Sequence, residues 1–66
     1  MNRMMRWFES EHLPEHLRTV SAFVEDLARL MDAVLVEGPE KTAGLRKLLE
    51  AKDCFVRARI EGESPK

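Results

Sequence analysis

The residues best suited to binding chemistry stand at the start of a predicted helix, at positions 38–42 (GPEKT). A helix N-terminus presents unpaired backbone N–H groups and the positive end of the helix dipole, so it attracts anions. Lys41 and Thr42 add an ammonium and a hydroxyl group, and Arg46, four residues beyond Thr42, lies on the same helical face as Thr42. This pattern predicts a phosphate cradle. The alternative is that Lys41 and Arg46 are solvated surface side chains.

Two large aromatic residues, Trp7 and Phe8, precede the first predicted helix. They either cap the open end of the apolar core, which the pattern favours, or stack on a flat nucleobase, a contact worth about 1–3 kcal/mol per base. His12 and His16 are four residues apart, but no cluster of cysteines or carboxylates accompanies them, so no metal site is predicted. Cys54 is expected to be a partly buried, small apolar side chain.

The elements that must position these residues are two long helices. Proline is favoured at the first helical position, which places helix starts near Pro14 and Pro39. The first helix is predicted over 14–36 and the second over 39–60, followed by a frayed tail over 61–66. A heptad-like seam runs along the first helix, with apolar residues three and four positions apart, at Leu17, Val20, Val24, Leu27, Met31 and Val34. The fold class is therefore all-α: an antiparallel two-helix hairpin.

The short length of the chain indicates that this hairpin self-associates. The chain has 66 residues and one cysteine, which excludes an internal disulfide framework and a four-cysteine zinc site. A domain of this length buries only about 60% of its unfolded surface. Further apolar side chains cannot all face one partner helix, namely Phe23, Leu30, Leu48 and Phe55. We therefore expect an oligomeric helical bundle.

Charge is unevenly distributed along the chain. Residues 1–37 carry four basic and seven acidic side chains, a net charge of −3, whereas residues 38–60 carry six basic and three acidic side chains, a net charge of +3. The overall charge of −1 and the isoelectric point near 6.1 do not fit a genomic nucleic-acid binder, which is usually strongly basic. The basic second helix suits a small anion or an acidic helix of a neighbouring copy.

The sequence lacks the patterns typical of membrane spans, signal peptides and catalytic sites. No apolar run approaches the roughly 20 residues that span a bilayer, and no apolar segment typical of a signal peptide follows Arg3 and Arg6. A cytoplasmic protein is expected. No pairing of a nucleophile with a base and no Walker-type glycine loop is present, so we predict neither an enzyme nor a cofactor.

The run from Glu40 to Ala51 (EKTAGLRKLLEA) resembles the second helix of the phage cyclic-oligonucleotide sponges, which are anti-CBASS proteins of the helical-hairpin family related to Thoeris inhibitors. The His-x-Pro sequence ending at Pro14 and the Leu-Ala pair at 27–28 are also similar to that family. The resemblance covers roughly residues 7–60. It implies a hairpin that assembles into multimers, often hexamers, and sequesters cyclic nucleotide immune signals without cleaving them in the host bacterial cytoplasm.

The resemblance also implies site residues. Lys41 and Thr42 match the family's helix-start pair near the ligand, and Lys47 matches a lysine one turn later. The family's tyrosine before His-x-Pro is Glu11 here, which leaves the stacking position to Trp7, Phe8 or His12. The ligand is then a cyclic dinucleotide, a cyclic trinucleotide or an ADP-ribose-derived signal. The alternatives are a helical-hairpin module that binds another protein and, less favoured, a small DNA-binding regulator.

Overall fold

A computed structural model describes residues 2–63 of the chain, and these residues form only helices and their connections. A short 3₁₀ helix, Arg3–Phe8, is followed by helix α1, Glu15–Val34, and helix α2, Pro39–Glu63. The all-α prediction is confirmed. Neither α1 nor α2 is long and apolar enough to cross a membrane, and the same holds for every other described segment.

The helix ends differ slightly from the predicted ones. Pro14 lies just outside α1 with φ −55° and ψ 152°, so the helix begins one residue later than predicted. It ends two residues earlier, at Val34, and the Leu35 N–H caps it by donating to the Met31 carbonyl at 3.1 Å. Helix α2 begins at Pro39 as predicted but continues to Glu63. Residues 64–66 of the predicted tail lie outside the described residues.

Side-chain contacts show that α1 and α2 run past each other in opposite directions. His16, near the start of α1, contacts Glu63 at the end of α2, with 3.1 Å between Nε2 and Oε2. Asp32, near the end of α1, pairs with Lys41 at the start of α2. The Glu63 contact lies in the last turn of α2, beyond the predicted helix end, and gives that turn a partner.

The N-terminal 3₁₀ helix is an element that the sequence does not predict. Asn2 caps it, because the Asn2 Oδ1 accepts a hydrogen bond from the Met4 N–H at 2.9 Å. At its other end the Lys52 ammonium donates to the Trp7 carbonyl at 2.7 Å, which satisfies a backbone acceptor that the helix leaves unpaired. The segment packs between α1 and α2, and the core consists of Met5, Phe8, Val24, Ala28 and Leu45.

Helix α1 carries two parallel apolar stripes rather than one seam. The inner stripe is buried or half-buried and contains Leu17, Ser21, Val24, Ala28 and Met31. The outer stripe also follows a spacing of three and four residues; Val20 is half-buried, and its other members are exposed, namely Phe23, Leu27, Leu30 and Val34. The predicted seam alternated between the two stripes. It was wrong because it weighed apolar size alone, whereas the small Ser21 and Ala28 face inward, and Ala28 packs in one cluster with Met5 and Phe8.

Cys54 also departs from the prediction. It lies on the exposed side of α2, where its sulfur accepts a contact from the Arg57 guanidinium at 3.4 Å. The buried face of α2 is instead formed by two lysines and the leucines between them. Lys41, Leu45 and Lys52 are buried, and Leu48 is half-buried. Apolar periodicity identifies the leucines of this face but not the two buried lysines.

Candidate functional site

The predicted cradle residue Lys41 lies in a partly buried polar cluster formed by Asn2, Asp32, Glu37, Lys41 and Thr42. The Lys41 ammonium donates to the Asp32 and Leu35 carbonyls at 2.8 and 3.0 Å. It also pairs with one carboxylate oxygen each of Asp32 and Glu37, both at 2.9 Å. An ammonium has three protons, so four oxygens within 3.0 Å occupy it fully. Lys41 caps the C-terminus of α1 and has no proton left for a phosphate.

Charges in this cluster stabilise one another. The Lys41 ammonium, followed by the Asn2 backbone N–H, lowers the pKa of Asp32. The same ammonium, with the Asn2 side-chain amide, lowers the pKa of Glu37. In return, the hydrogen bonds that Lys41 donates to Glu37 and then to Asp32 raise the pKa of Lys41 against the effect of burial. All three groups are therefore ionised at neutral pH, and together they carry a net negative charge.

Asn2 ties this cluster to the N-terminal segment. Its backbone N–H donates to the Asp32 Oδ1 at 3.0 Å, and its side-chain amide donates to the Glu37 Oε1 at 3.2 Å and the Thr42 Oγ1 at 3.1 Å. Asn2 thus joins the 3₁₀ helix to the end of α1 and the start of α2. The Thr42 hydroxyl oxygen accepts in this contact, which leaves its own proton to donate to another group.

The structure brings two of the predicted phosphate residues together. Thr42 and Arg46 line a surface pocket of about 440 Å³ at the N-terminus of α2, as their spacing predicts. Arg3, from the 3₁₀ helix, lines the same pocket and adds a second guanidinium, although no sequence pattern pointed to it. The remaining lining comes from Asn2, Met4, Glu37 and Gly38. Arg3 and Arg46 are both exposed and are the two cationic residues of this lining.

The other predicted residues lie apart from this pocket. Lys47 is exposed and does not line it, because five residues of helix turn it well away from Thr42. Phe8 has no exposed surface and so has no face to offer a nucleobase; it fills the chain's own core. Trp7 is 53% exposed, and the Arg6 guanidinium lies 4.9 Å from its ring centroid, a cation–π distance. His12 is exposed and lines a different pocket, beside Lys52 and Arg57.

Metal-binding groups do not assemble among residues 2–63, where no three histidine, cysteine, aspartate or glutamate side chains are placed to hold an ion. His16 pairs with Glu63 rather than with His12.

Sequence reasoning missed two residues of the site, Asn2 and Arg3, and it also missed that Lys52 is buried against the end of the 3₁₀ helix. Asn followed by a short apolar run is an N-cap signal, and it would have identified Asn2 as the start of a helical turn. Arg3 reaches the pocket only because that turn folds back against α2. Nothing in the local sequence marks Lys52 as buried, since its partner, the Trp7 carbonyl, is 45 residues away.

Comparisons with known proteins identify no relative. No family model, no curated protein and no solved structure matches the chain.

Proposed function

We propose that the chain is an oligomeric, non-enzymatic sponge that binds a cyclic nucleotide signal and sequesters it. The single observation that carries the proposal is the pocket at the start of α2, which is lined by two exposed arginines, Arg3 and Arg46, and by Thr42. The resemblance of residues 7–60 to the phage sponges supplies the ligand class and the setting: a phage-encoded inhibitor of host antiviral defence that acts in the bacterial cytoplasm.

The pocket has the chemistry that a phosphate requires. Guanidinium groups bind phosphate oxygens through paired, charge-assisted hydrogen bonds. Thr42 lies in the first turn of α2, where the helix dipole adds positive potential. Glu37 also borders the pocket, and Lys41 pairs with it at 2.9 Å while also pairing with Asp32. Lys41 therefore acts indirectly in this proposal, by partly offsetting the negative charge of Glu37 rather than by touching the ligand.

Trp7 is the remaining stacking candidate. Its ring is half-exposed and is covered in part by Arg6, so a planar base can replace or extend that contact. It stands at the end of the 3₁₀ helix that begins beside the phosphate pocket. A ligand that bridges two copies can therefore reach a phosphate site on one and an aromatic face on another.

The oligomer, built from helical hairpins, rests on the outer stripe of α1. The spacing of three and four residues from Val20 to Val34 is that of a coiled-coil seam, which fits another helix rather than a flat surface. Phe23 is 74% exposed and Leu30 54%, so two large apolar side chains of this stripe meet solvent in the single chain. Beside the stripe lies an apolar groove of about 300 Å³, whose lining includes Leu27, Met31, Gly44 and Leu48. We propose that copies of the chain cover this surface, as a hexamer by the family resemblance.

Calorimetry tests the proposal. The protein is titrated with cyclic dinucleotides, cyclic trinucleotides and cyclic ADP-ribose products, and we expect one of them to bind with a dissociation constant below about 10 μM, roughly −7 kcal/mol. Arg46→Gln should weaken that binding at least tenfold. Arg59→Gln is the matched control, because Arg59 is an exposed arginine of the same helix that does not line the pocket. No binding by any of these compounds would refute the sponge.

The second candidate is a protein–protein interaction module, which the apolar groove between α1 and α2 favours. In this alternative the chain is a monomer or dimer that binds none of the nucleotides and binds a protein partner through Leu27, Leu30 and Leu48. This alternative is established over the sponge if Leu30→Gln no longer captures the protein partner and titration with each nucleotide gives no heat of binding.

A further inference from the structure

Two lysines are buried on the same face of α2, and their surroundings differ sharply. Lys41 and Lys52 are each only 8% exposed. Lys41 has four oxygens within 3.0 Å, two of them from carboxylates. Lys52 has one oxygen at hydrogen-bond distance among residues 2–63, the Trp7 carbonyl at 2.7 Å. The Asp53 Oδ1 is 3.9 Å away, beyond hydrogen-bond distance.

This difference matters because a buried ammonium ion needs several polar partners. Taking a charged group out of water costs several kcal/mol unless opposite charge and hydrogen bonds compensate it. The Trp7 carbonyl accepts one of the three Lys52 protons, and Asp53, whose side chain is half-exposed, provides only a long ion pair. Lys52 is thus a nine-tenths buried cation with hydrogen-bonding capacity to spare.

Lys52 also lines a second surface pocket. This pocket has a volume of about 270 Å³ and is lined by His12, Leu13, Lys52, Asp53, Val56 and Arg57. Arg57 is exposed, and its one hydrogen bond among the described residues is the weak contact with the Cys54 sulfur. Lys52 and Arg57 bring two positive charges and Asp53 one negative charge, so the pocket is cationic even with His12 neutral.

We propose that this pocket binds a phosphate-type oxyanion, either free phosphate or a phosphate monoester. Lys52 supplies the buried ammonium, Arg57 supplies a guanidinium with its N–H groups available, and His12 supplies a ring N–H from the loop before α1. Asp53 is exposed enough to swing its carboxylate into solvent when the anion enters.

The site is separate from the pocket of the proposed function. Lys52 lies 11 residues beyond Lys41, which is about 16 Å further along α2. The two pockets share no lining residue. Oxyanion binding at Lys52 can therefore be tested separately from cyclic nucleotide binding.

Nuclear magnetic resonance tests the site on the full chain. Inorganic phosphate and methyl phosphate are titrated separately at constant ionic strength, with the shortfall made up by chloride. We expect saturable shifts at the N–H groups of His12, Lys52 and Arg57, with a dissociation constant below about 10 mM. The two titrations distinguish free phosphate from a monoester as the better ligand.

Two variants make the result decisive. Arg57→Gln changes an exposed residue and should weaken phosphate binding about tenfold, or about 1.4 kcal/mol. Arg59→Gln, an exposed arginine that does not line this pocket, should leave it unchanged. The proposal is overturned if the shifts do not saturate, if they occur equally with chloride alone, or if Arg57→Gln binds as tightly as the unmodified chain.

Discussion

Replacing Phe8 by alanine should destabilise the chain far more than replacing Phe23, although both are phenylalanines and only Phe8 lies outside the long helices. Phe8 has no exposed surface, whereas Phe23 is 74% exposed. Burial of about 200 Å² of aromatic side chain, at about 25 cal/mol per Å², gives an upper value of about 5 kcal/mol for Phe8. Core substitutions of phenylalanine by alanine commonly cost about 3–5 kcal/mol, so we expect about 3–4 kcal/mol here.

That loss is large compared with the total free energy of unfolding of the chain. At about 0.05–0.15 kcal/mol per residue, a chain of 66 residues has a free energy of unfolding of about 3–10 kcal/mol. A loss of 3 kcal/mol corresponds to a fall in Tm of more than about 12 °C for a domain of this size. At the lower end of that range of unfolding free energy, such a loss leaves Phe8→Ala partly unfolded at room temperature.

Urea and thermal unfolding, followed by far-ultraviolet circular dichroism at two protein concentrations, measure both variants. The Phe8→Ala loss should be the same at both concentrations, because it arises within one chain. Phe23→Ala should change the stability of the single chain by less than about 0.5 kcal/mol but should reduce any dependence of Tm on concentration. If the free energy of unfolding of Phe8→Ala lies within about 1 kcal/mol of that of the unmodified chain, the 3₁₀ helix does not pack into the core.

Three further predictions concern single features of the fold. The Ser21 hydroxyl is buried without a hydrogen-bond partner among residues 2–63, so Ser21→Ala should be neutral or stabilising by up to about 1 kcal/mol in urea unfolding; a loss above 1 kcal/mol would show a missed partner. Because their folded pKa values lie below the ordinary 3.8 and 4.5, Asp32 and Glu37 stabilise the fold above those values, and stability should decline as pH falls through and below them, with no such decline between pH 6 and 8. A Cβ at Gly44 would meet nothing within 4 Å, so Gly44→Ala should stabilise the single chain by about 1 kcal/mol, and a native mass reduced to the monomer would show that a second backbone packs there.

Helix type and approximate bounds could be predicted from the sequence because they follow from local signals. Pro14 and Pro39 mark helix starts, and apolar residues recur with helical periodicity over both long segments. The extension of α2 to Glu63 was not predicted, since it coincides with a contact to His16, which lies 47 positions earlier in the chain. Local patterns do not carry information about such distant partners.

The candidate site was predicted less completely, for the same physical reason. Thr42 and Arg46 share a pocket because four residues of helix place them on one face. Whether a lysine side chain is free or occupied depends on what packs against it. Lys41 meets the end of α1, so its ammonium is occupied by Asp32 and Glu37 instead of facing a ligand.

The size of the apolar side chains does not show which stripe of α1 faces the core. Its two stripes have equal spacing, and the larger side chains lie on the outer one. The inner stripe is distinguished by Ser21 and Ala28, both fully buried, and Ala28 shares a cluster with the N-terminal 3₁₀ helix. Phe23 and Leu30 are exposed members of the outer stripe, and it is a contiguous apolar stripe, rather than single exposed apolar side chains, that marks a candidate interaction surface.

Native mass spectrometry of the full chain, with and without the cyclic nucleotide panel, reports assembly and ligand binding in one experiment. We expect a multimer, a hexamer by the family resemblance, that retains a cyclic nucleotide of unaltered mass and loses it in Arg46→Gln but not in Arg59→Gln. A monomer that retains none of these nucleotides would refute the proposed sponge.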